Sequence, residues 1–230
     1  MRIVLATGNP HKVDEMRAIF AREGLAALGV KIVGLKDLPD PHRFHEPEEH
    51  GTTFEENATI KALSYAQQTG EWCLADDSGL EIDALGGKPG IISSHYCTDG
   101  VDTGMTREQR DAANNDRVLK ELEGVPMEHR AARFVCVMVL TAPPATRGGS
   151  ILPSLLSRGV FEGRIGSPPR VPAGTNGFGY DPLFLVAPAF VRTSAEMPSD
   201  EKNAGSHRAA AARAMAEHIA ALARGFSAEA

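Results

Sequence analysis

Two aspartates, Asp76 and Asp77, stand side by side at the end of an apolar run, Trp72 to Ala75. Paired carboxylates at a strand end can hold a hard divalent cation such as Mg²⁺, or one of them can take a proton from an attacking water. The competing reading is an Asp-rich turn whose carboxylates cap backbone N–H groups, and Ser78 and Gly79 fit either account. A cationic set lies elsewhere. Thr7-Gly8-Asn9-Pro10-His11-Lys12 reads as a helix start: Asn9 suits the N-cap, Pro10 the first helical position, and Gly8 lets backbone approach a ligand closely. Free N–H groups there attract phosphate, and Lys12, one turn in, adds a full charge. The spacing is not that of a P-loop.

Toward the C-terminus, Glu201-Lys202-Asn203 precedes Ser206-His207-Arg208, gathering three basic side chains about the opening of the last helix. Cations there oppose the macrodipole, which is easier to understand if an anion lies between them. Gly174-Thr175-Asn176-Gly177-Phe178-Gly179-Tyr180-Asp181-Pro182 surrounds Phe178 with glycines, an arrangement suited to a planar ligand pressed against the ring. A plain loop around a buried aromatic is the alternative. Glu46, Glu48 and Glu49 lie in a Pro-rich loop and are solvated charges unless that loop folds toward Asp77, where one of them would complete a cation site.

The elements that must position these groups alternate. A strand at Arg2 to Ala6 is followed by helical spacing at Val13, Met16 and Phe20, with Gly24 as the stop, and a short strand is expected over 31 to 35. Thr53 and Glu56 form a capping box opening a helix to about Gln68; Thr106 and Gln109 form a second, ending by Gly124. Trp72 to Ala75 and Leu80 to Asp83 read as two strands separated by the aspartates. Ala132 to Thr141 is so continuously apolar that both its faces should be covered. Residues 143 to 158 read as an exposed excursion, Val160 to Ile165 and Leu183 to Val186 as strands, and Ser206 as the cap of an alanine-rich helix ending at Gly225. The expected fold is α/β: a mixed, mainly central sheet flanked by helices, within one domain over 1–230.

Composition narrows the function. A chain of 230 residues with 42% hydrophobic content can bury a large core, and a formal charge of -6 argues against a nucleic-acid polymer as partner. The three cysteines form no CxxC pair, and the N-terminus starts directly on a strand pattern, so the expectation is a cytoplasmic protein with no membrane partner.

TGNPHK at 7 to 12, TFEENA at 53 to 58, ADDSGL at 75 to 80, GTNGFGYDP at 174 to 182 and EKNAGSHR at 201 to 208 together resemble, in this order, the inosine triphosphate pyrophosphatase family. The resemblance spans nearly the whole chain. It implies two closely joined lobes with a substrate cleft, Mg²⁺ dependence, a homodimer, and hydrolysis of ITP, dITP and XTP to the monophosphate and pyrophosphate. By position it assigns Thr7, Gly8, Asn9, Pro10, His11 and Lys12 to the triphosphate, Glu48 and Asp77 to the metal, and Asp77 to proton acceptance, with Asp76 beside it as the other catalytic candidate. Ser78, Phe178, Gly179, Tyr180, Asp181, Lys202, His207 and Arg208 would hold substrate; for a 6-oxopurine, a donor such as Arg208, or a backbone N–H near it, would bond the oxo group. Ile92 and His95 stand where family members often carry an aromatic and an arginine. Two rival readings are a pyrophosphatase for modified pyrimidine nucleotides and a sensor that binds a triphosphate without cleaving it.

Overall fold

The structure, a computed structural model, describes residues 1–143 and 154–228, with side chains through 225. In chain order the main elements are β1 (Arg2–Leu5), α1 (Pro10–Arg22), β2 (Lys31–Gly34), α2 (Phe54–Thr69), β3 (Trp72–Ile82), α3 (Arg107–Glu121), β4 (Ala131–Thr141), β5 (Leu155–Ile165), β6 (Phe184–Val186), α4 (Ser199–Gly205) and α5 (His207–Ala228). The strands are ordered β2-β1-β3-β4-β5-β6; β1 runs parallel to β2 and β3, and β5 runs antiparallel to β6. This is the mixed α/β sheet that the alternating elements predicted.

The chain divides into two compact units. The first comprises Met1–Asp77, Cys136–Gly159 and His207–Ala230; the second comprises Ser78–Val135 and Val160–Ser206. In the first, Ile3, Leu5, Leu74, Cys136 and Met138 share a core with Met16 and Phe20 of α1 and Ala212, Met215 and Ile219 of α5. Cys73, one residue from Leu74 and so on the opposite face of β3, meets Thr69 of α2 instead. Helices therefore cover both faces of this part of the sheet, which is why β4 is buried almost without interruption. In the second unit, Leu80, Ile82, Val118, Leu122 and Phe134 surround Phe184, whose ring lies 4.5 Å from that of Phe134. Burying a phenylalanine side chain is worth about 1.5–3 kcal/mol.

The capping signals hold with one adjustment. Thr53 accepts from the Glu56 N–H at 3.1 Å, but the Glu56 carboxylate turns back to Thr52 rather than to Thr53, accepting from its N–H at 2.6 Å. Thr106 and Gln109 form the full reciprocal box.

Four expectations need correction. Asp76-Asp77-Ser78-Gly79 is not a turn: β3 runs unbroken from Trp72 to Ile82, because the charges that should end it are met by cations from the flanking helices. The strand expected at Val160 begins at Leu155, so the last residues of the supposed excursion are sheet, while 144–153 lie outside the described residues. A short helix, α4, precedes the last one. And α5 continues past Gly225 to Ala228, since an isolated glycine costs a helix only about 1 kcal/mol.

Contact between β5 and α5 is made through backbone. A Cβ on Gly159 would lie 2.1 Å from the His207 carbonyl oxygen and 2.4 Å from the Ala211 nitrogen, whereas one on Gly225 would meet nothing within 4 Å. Gly159→Ala should therefore destabilise the protein by about 1–3 kcal/mol or more, and Gly225→Ala should stabilise it by up to about 1 kcal/mol. Urea denaturation midpoints of the two variants check this, and equal midpoints would refute the close approach.

Candidate active site

The helix start at α1 forms as its residue types require. Asn9 is extended (φ -81°, ψ 110°) and its side chain accepts from the His11 N–H at 3.1 Å, while the Thr7 hydroxyl accepts from the Asn9 N–H at 3.2 Å. Pro10 takes the first position, and Gly8 has no neighbour within 4 Å of where a Cβ would stand. From this first turn Lys12 reaches Asp76 at 2.9 Å.

Asp76 and Asp77, being consecutive on a strand, point to opposite faces of the sheet and meet different partners. Asp76 is 2% exposed and holds Lys12 and, at 3.5 Å, Arg208, whose guanidinium also binds Glu15 at 2.5 Å. Burial pushes the Asp76 pKa up, but Lys12, Arg208 and Lys61 outweigh it and hold this carboxyl well below its ordinary range. The adjacent Cys136 thiol is pushed up to about 12 by burial and by Asp76, so it stays protonated and unreactive.

Asp77 faces α2. Its Oδ1 accepts from Lys61 at 2.9 Å, and the same ammonium donates to Glu49 at 3.0 Å. Its other oxygen, Oδ2, is buried and has no hydrogen-bond partner among the described residues. Burial raises the Asp77 pKa above its ordinary value; Lys61 and Lys12 offset part of this, and Glu49 adds to it. One cation shared between two carboxylates leaves each under-compensated, so neighbouring aspartates titrate in opposite directions. That divergence is what separates an acid–base group from a permanent ion-pair partner.

In the second unit, the loop at 174 to 182 is built around Asp181. This carboxylate is 3% exposed and accepts from the Phe178 N–H at 2.8 Å, the Ser194 hydroxyl at 2.7 Å and Lys202 of α4 at 2.5 Å. Gly177 sits at φ +81°, and a Cβ there would fall 2.1 Å from the Asp181 carboxylate, so only glycine closes the loop. The buried Tyr180 hydroxyl donates to the Ser93 carbonyl at 2.7 Å. From α3, Asp111 accepts from the Gly179 N–H at 3.0 Å and Asn115 donates to the Gly179 carbonyl at 3.1 Å. Phe178 is left half-buried, with the Arg107 guanidinium 4.9 Å and the Lys202 ammonium 5.5 Å from its ring centroid.

Thr7 to Lys12, Glu48, Asp76, Asp77, His207 and Arg208 thus fall in the first unit, and Ser78, Phe178 to Asp181 and Lys202 in the second. Several expectations change. The basic side chains about the opening of the last helix are already partnered: Lys202 pairs with Asp181, and Arg208 pairs with Glu15 and Asp76. Tyr180 and Asp181 are interior anchors of their loop, because their polar ends are consumed by Ser93, Ser194 and Lys202. Glu49 rather than Glu48 converges with Asp77 on Lys61. Lys61, Glu15 and the α3 face of Arg107, Asp111 and Asn115 escaped the sequence reading. Lys61 had a visible signal: it lies among Asn57, Ala58, Ala62 and Tyr65 on the buried face of α2, where an unpaired lysine is rare. The α3 residues had none, since their partners are more than sixty positions away.

Among the described residues no group of three or more His, Cys, Asp or Glu side chains gathers. The donors around Asp77 nevertheless suit a hard cation: Asp77 and Glu49 already meet at one ammonium, they carry one negative charge more than Lys61 neutralises, and an Asp77 oxygen is open.

The model of the Ham1 family matches residues 3–218 of the sequence. This chain belongs to the Ham1 family. It is 44% identical over 223 residues to the dITP/XTP pyrophosphatase of Nitratidesulfovibrio vulgaris, covering 97% of this chain and 98% of the relative. It is 43% identical over 218 residues to that of Geobacter sulfurreducens, covering 95% and 96%. Among solved structures, a HAM1 protein from Coxiella burnetii superposes with a TM-score of 0.74 at 39% identity, covering 95% of this chain and 98% of that one. The five segments that carried the resemblance all lie within the matched span.

Asp76 and Asp77 should respond oppositely to neutralisation. Asp76→Asn leaves Lys12 and Arg208 facing a neutral group, and removing one partner of a buried ion pair costs about 3–5 kcal/mol at pH 7. Because the folded Asp76 pKa is depressed, its stabilisation is fully present above its ordinary value of 3.8 and is lost as pH falls below it. The folded Asp77 pKa is raised, so its ionisation opposes folding as pH rises, and Asp77→Asn should be neutral or stabilising at pH 7. Denaturant titrations of both variants at neutral and at acidic pH read the contrast; equal losses would refute it.

Proposed function

We propose that this protein hydrolyses non-standard purine nucleoside triphosphates, dITP, XTP and ITP, to the monophosphate and pyrophosphate, and so cleanses the nucleotide pool. The observation that carries the chemistry is the Asp77 carboxylate: buried, raised in pKa, steadied at one oxygen by Lys61 and open at the other. The substrate class rests on the full-length similarity to relatives named dITP/XTP pyrophosphatase.

Phosphoryl transfer needs in-line placement of a nucleophile and neutralisation of charge more than covalent assistance. Water attacks the α-phosphorus, and Asp77 Oδ2 orients it and takes its proton; a raised pKa makes this carboxylate a better base than an ordinary aspartate. Lys61 fixes the carboxylate's rotation. Lys12, with Thr7 to His11, receives phosphate oxygens at the start of α1, and Asp76 holds the lysine in place. Asp77 with Glu49, the member of the Glu48–Glu49 pair that reaches Lys61, would hold Mg²⁺, which supplies charge neutralisation on phosphate oxygens. In the second unit, Phe178 stacks on the purine and Lys202 lies beside the ring, with Ser78 and Gly179 as further substrate contacts; His207 of the first unit is another. Following the family, the protein acts as a homodimer in the cytoplasm. An open carboxylate disfavours a passive sensor, which gains nothing from a negative charge near phosphates.

With Mg²⁺ and ITP, the wild type should release pyrophosphate and no orthophosphate. Asp77→Asn should lower kcat by about 10²- to 10⁴-fold with the fold intact. Since Lys61 lowers the Asp77 pKa, Lys61→Met should move the acidic limb of the kcat profile to higher pH. Pyrophosphate release by Asp77→Asn at the wild-type rate would remove that residue from the mechanism; absence of product from wild type with ITP and XTP would refute the function.

A further inference from the structure

One face of α2 carries a row of polar side chains, Asn57, Lys61, Ser64 and Gln68, at the three- and four-residue spacing that sets them one above another. The segment 45–51, which forms neither helix nor strand, lies along this row in the opposite direction. At one end the Gln68 amide accepts from the His45 N–H at 2.8 Å and donates to the His45 carbonyl at 2.9 Å, and it also donates to the Ser64 hydroxyl at 3.0 Å. At the other end Asn57, 4% exposed, accepts from the Gly51 N–H at 2.8 Å, and the approach is so close that a Cβ on Gly51 would fall 2.6 Å from the Asn57 oxygen. Beside it the Thr52 N–H and hydroxyl donate to Glu56 at 2.6 and 2.9 Å. Between the two anchors Glu49 accepts from Lys61 at 3.0 Å.

The anchors leave little slack. From Asn57 to Gln68 the helix rises about 16 Å, and the chain from His45 to Gly51 reaches at most about 20 Å. A segment tied at both ends over nearly its full reach keeps few conformations, and Glu49 in its middle is confined with it. A carboxylate on a loose loop must be ordered each time it captures a cation, which weakens binding; a pinned one is ordered beforehand.

We infer that Asn57 and Gln68 are positioning residues for the divalent cation: they pin the 45–51 segment to α2 and hold the Glu49 carboxylate beside Asp77 before a cation binds. This rests on the proposed function for the cation and adds the side chains that preset its site. Both act through the backbone of the segment, Asn57 as the acceptor for one N–H and Gln68 as an amide that satisfies both backbone groups of His45. Lys61, midway along the same row, holds Glu49 and Asp77 together while the anchors fix how far the first can stray.

The test uses Mn²⁺ alone as the probe, its dissociation constant read from loss of the free-ion electron paramagnetic resonance signal, in wild type, Gln68→Met and Asn57→Leu. Gln68→Met, which keeps the side chain's length without its hydrogen bonds, should weaken Mn²⁺ binding about 3- to 10-fold, and Asn57→Leu at least about 10-fold. Hydrogen exchange at the His45 and Gly51 amides should quicken in the variants and slow again under saturating Mn²⁺, because a cation whose binding gains from loop order must itself order the loop. A side chain that only stabilised α2 would not show that return. Gln68 is half-buried, so its variant carries the test should Asn57→Leu fail to fold. A Gln68→Met protein whose Mn²⁺ affinity stays within about twofold of wild type, or falls with no change in His45 exchange, overturns the inference. So does a wild type that releases pyrophosphate from ITP yet takes up no Mn²⁺ on its own; the functional reading fails separately, by absence of product from ITP and XTP.

Discussion

The first unit is organised by a negative charge that cannot reach water. Asp76 is a carboxylate inside a sheet strand, 2% exposed, and an uncompensated ion there would cost several kcal/mol. It is tolerated because α1 delivers Lys12 and α5 delivers Arg208 to it, with Glu15 balancing the second cation. Two positive and two negative groups close this cluster. The same three elements also share the apolar core of Ile3, Leu74, Met16 and Met215, so the hydrophobic contacts and the ion pairs specify one arrangement of β3, α1 and α5. Such agreement between levels is what makes a buried charge network a specifying feature rather than a fault.

On the other face of the same strand the balance is deliberately incomplete. Lys61 serves both Asp77 and Glu49, so one negative charge is left over beside an unpaired carboxylate oxygen. Because strand neighbours alternate faces, one strand can present a closed ion pair on one side and an open, basic carboxylate on the other without the two sharing partners. The dipeptide Asp-Asp is therefore not a metal-binding pair acting as a unit. It is an acid paired with two cations followed by one with an open oxygen.

Much of the architecture was legible before any coordinates, and the reasons are local. Asn9, Pro10 and the Thr106/Gln109 box act through their own neighbours in sequence, and the apolar continuity of residues 132 to 141 reports covering on both faces whatever covers them. The failures share a different cause. Asp76 to Gly79 has turn composition, and only the distant Lys12, Lys61 and Arg208 make a strand of it. Tyr180 and Asp181 look like ligand contacts until Ser93, Ser194 and Lys202 are seen to consume their polar groups. Glu48 and Glu49 are equivalent in composition and differ in which of them meets Lys61. Sequence reading identified residue types capable of chemistry, and the three-dimensional partners decided which of them remain available for it.

That availability orders the arginines as well. Arg208 and Arg107 each sit in the first turn of a helix, α5 and α3, against the macrodipole, and motif resemblance pointed only to the first. Their surroundings distinguish them. Burial lowers the Arg208 pKa, but Asp76 and Glu15 outweigh it and raise it, and its terminal nitrogens hold both carboxylates. Arg107 has an aromatic ring in place of a carboxylate, its guanidinium 4.9 Å from the Phe178 centroid. An arginine held between acids ties α5 to β3 and α1, and one resting on an aromatic ring ties α3 to the loop that carries Phe178.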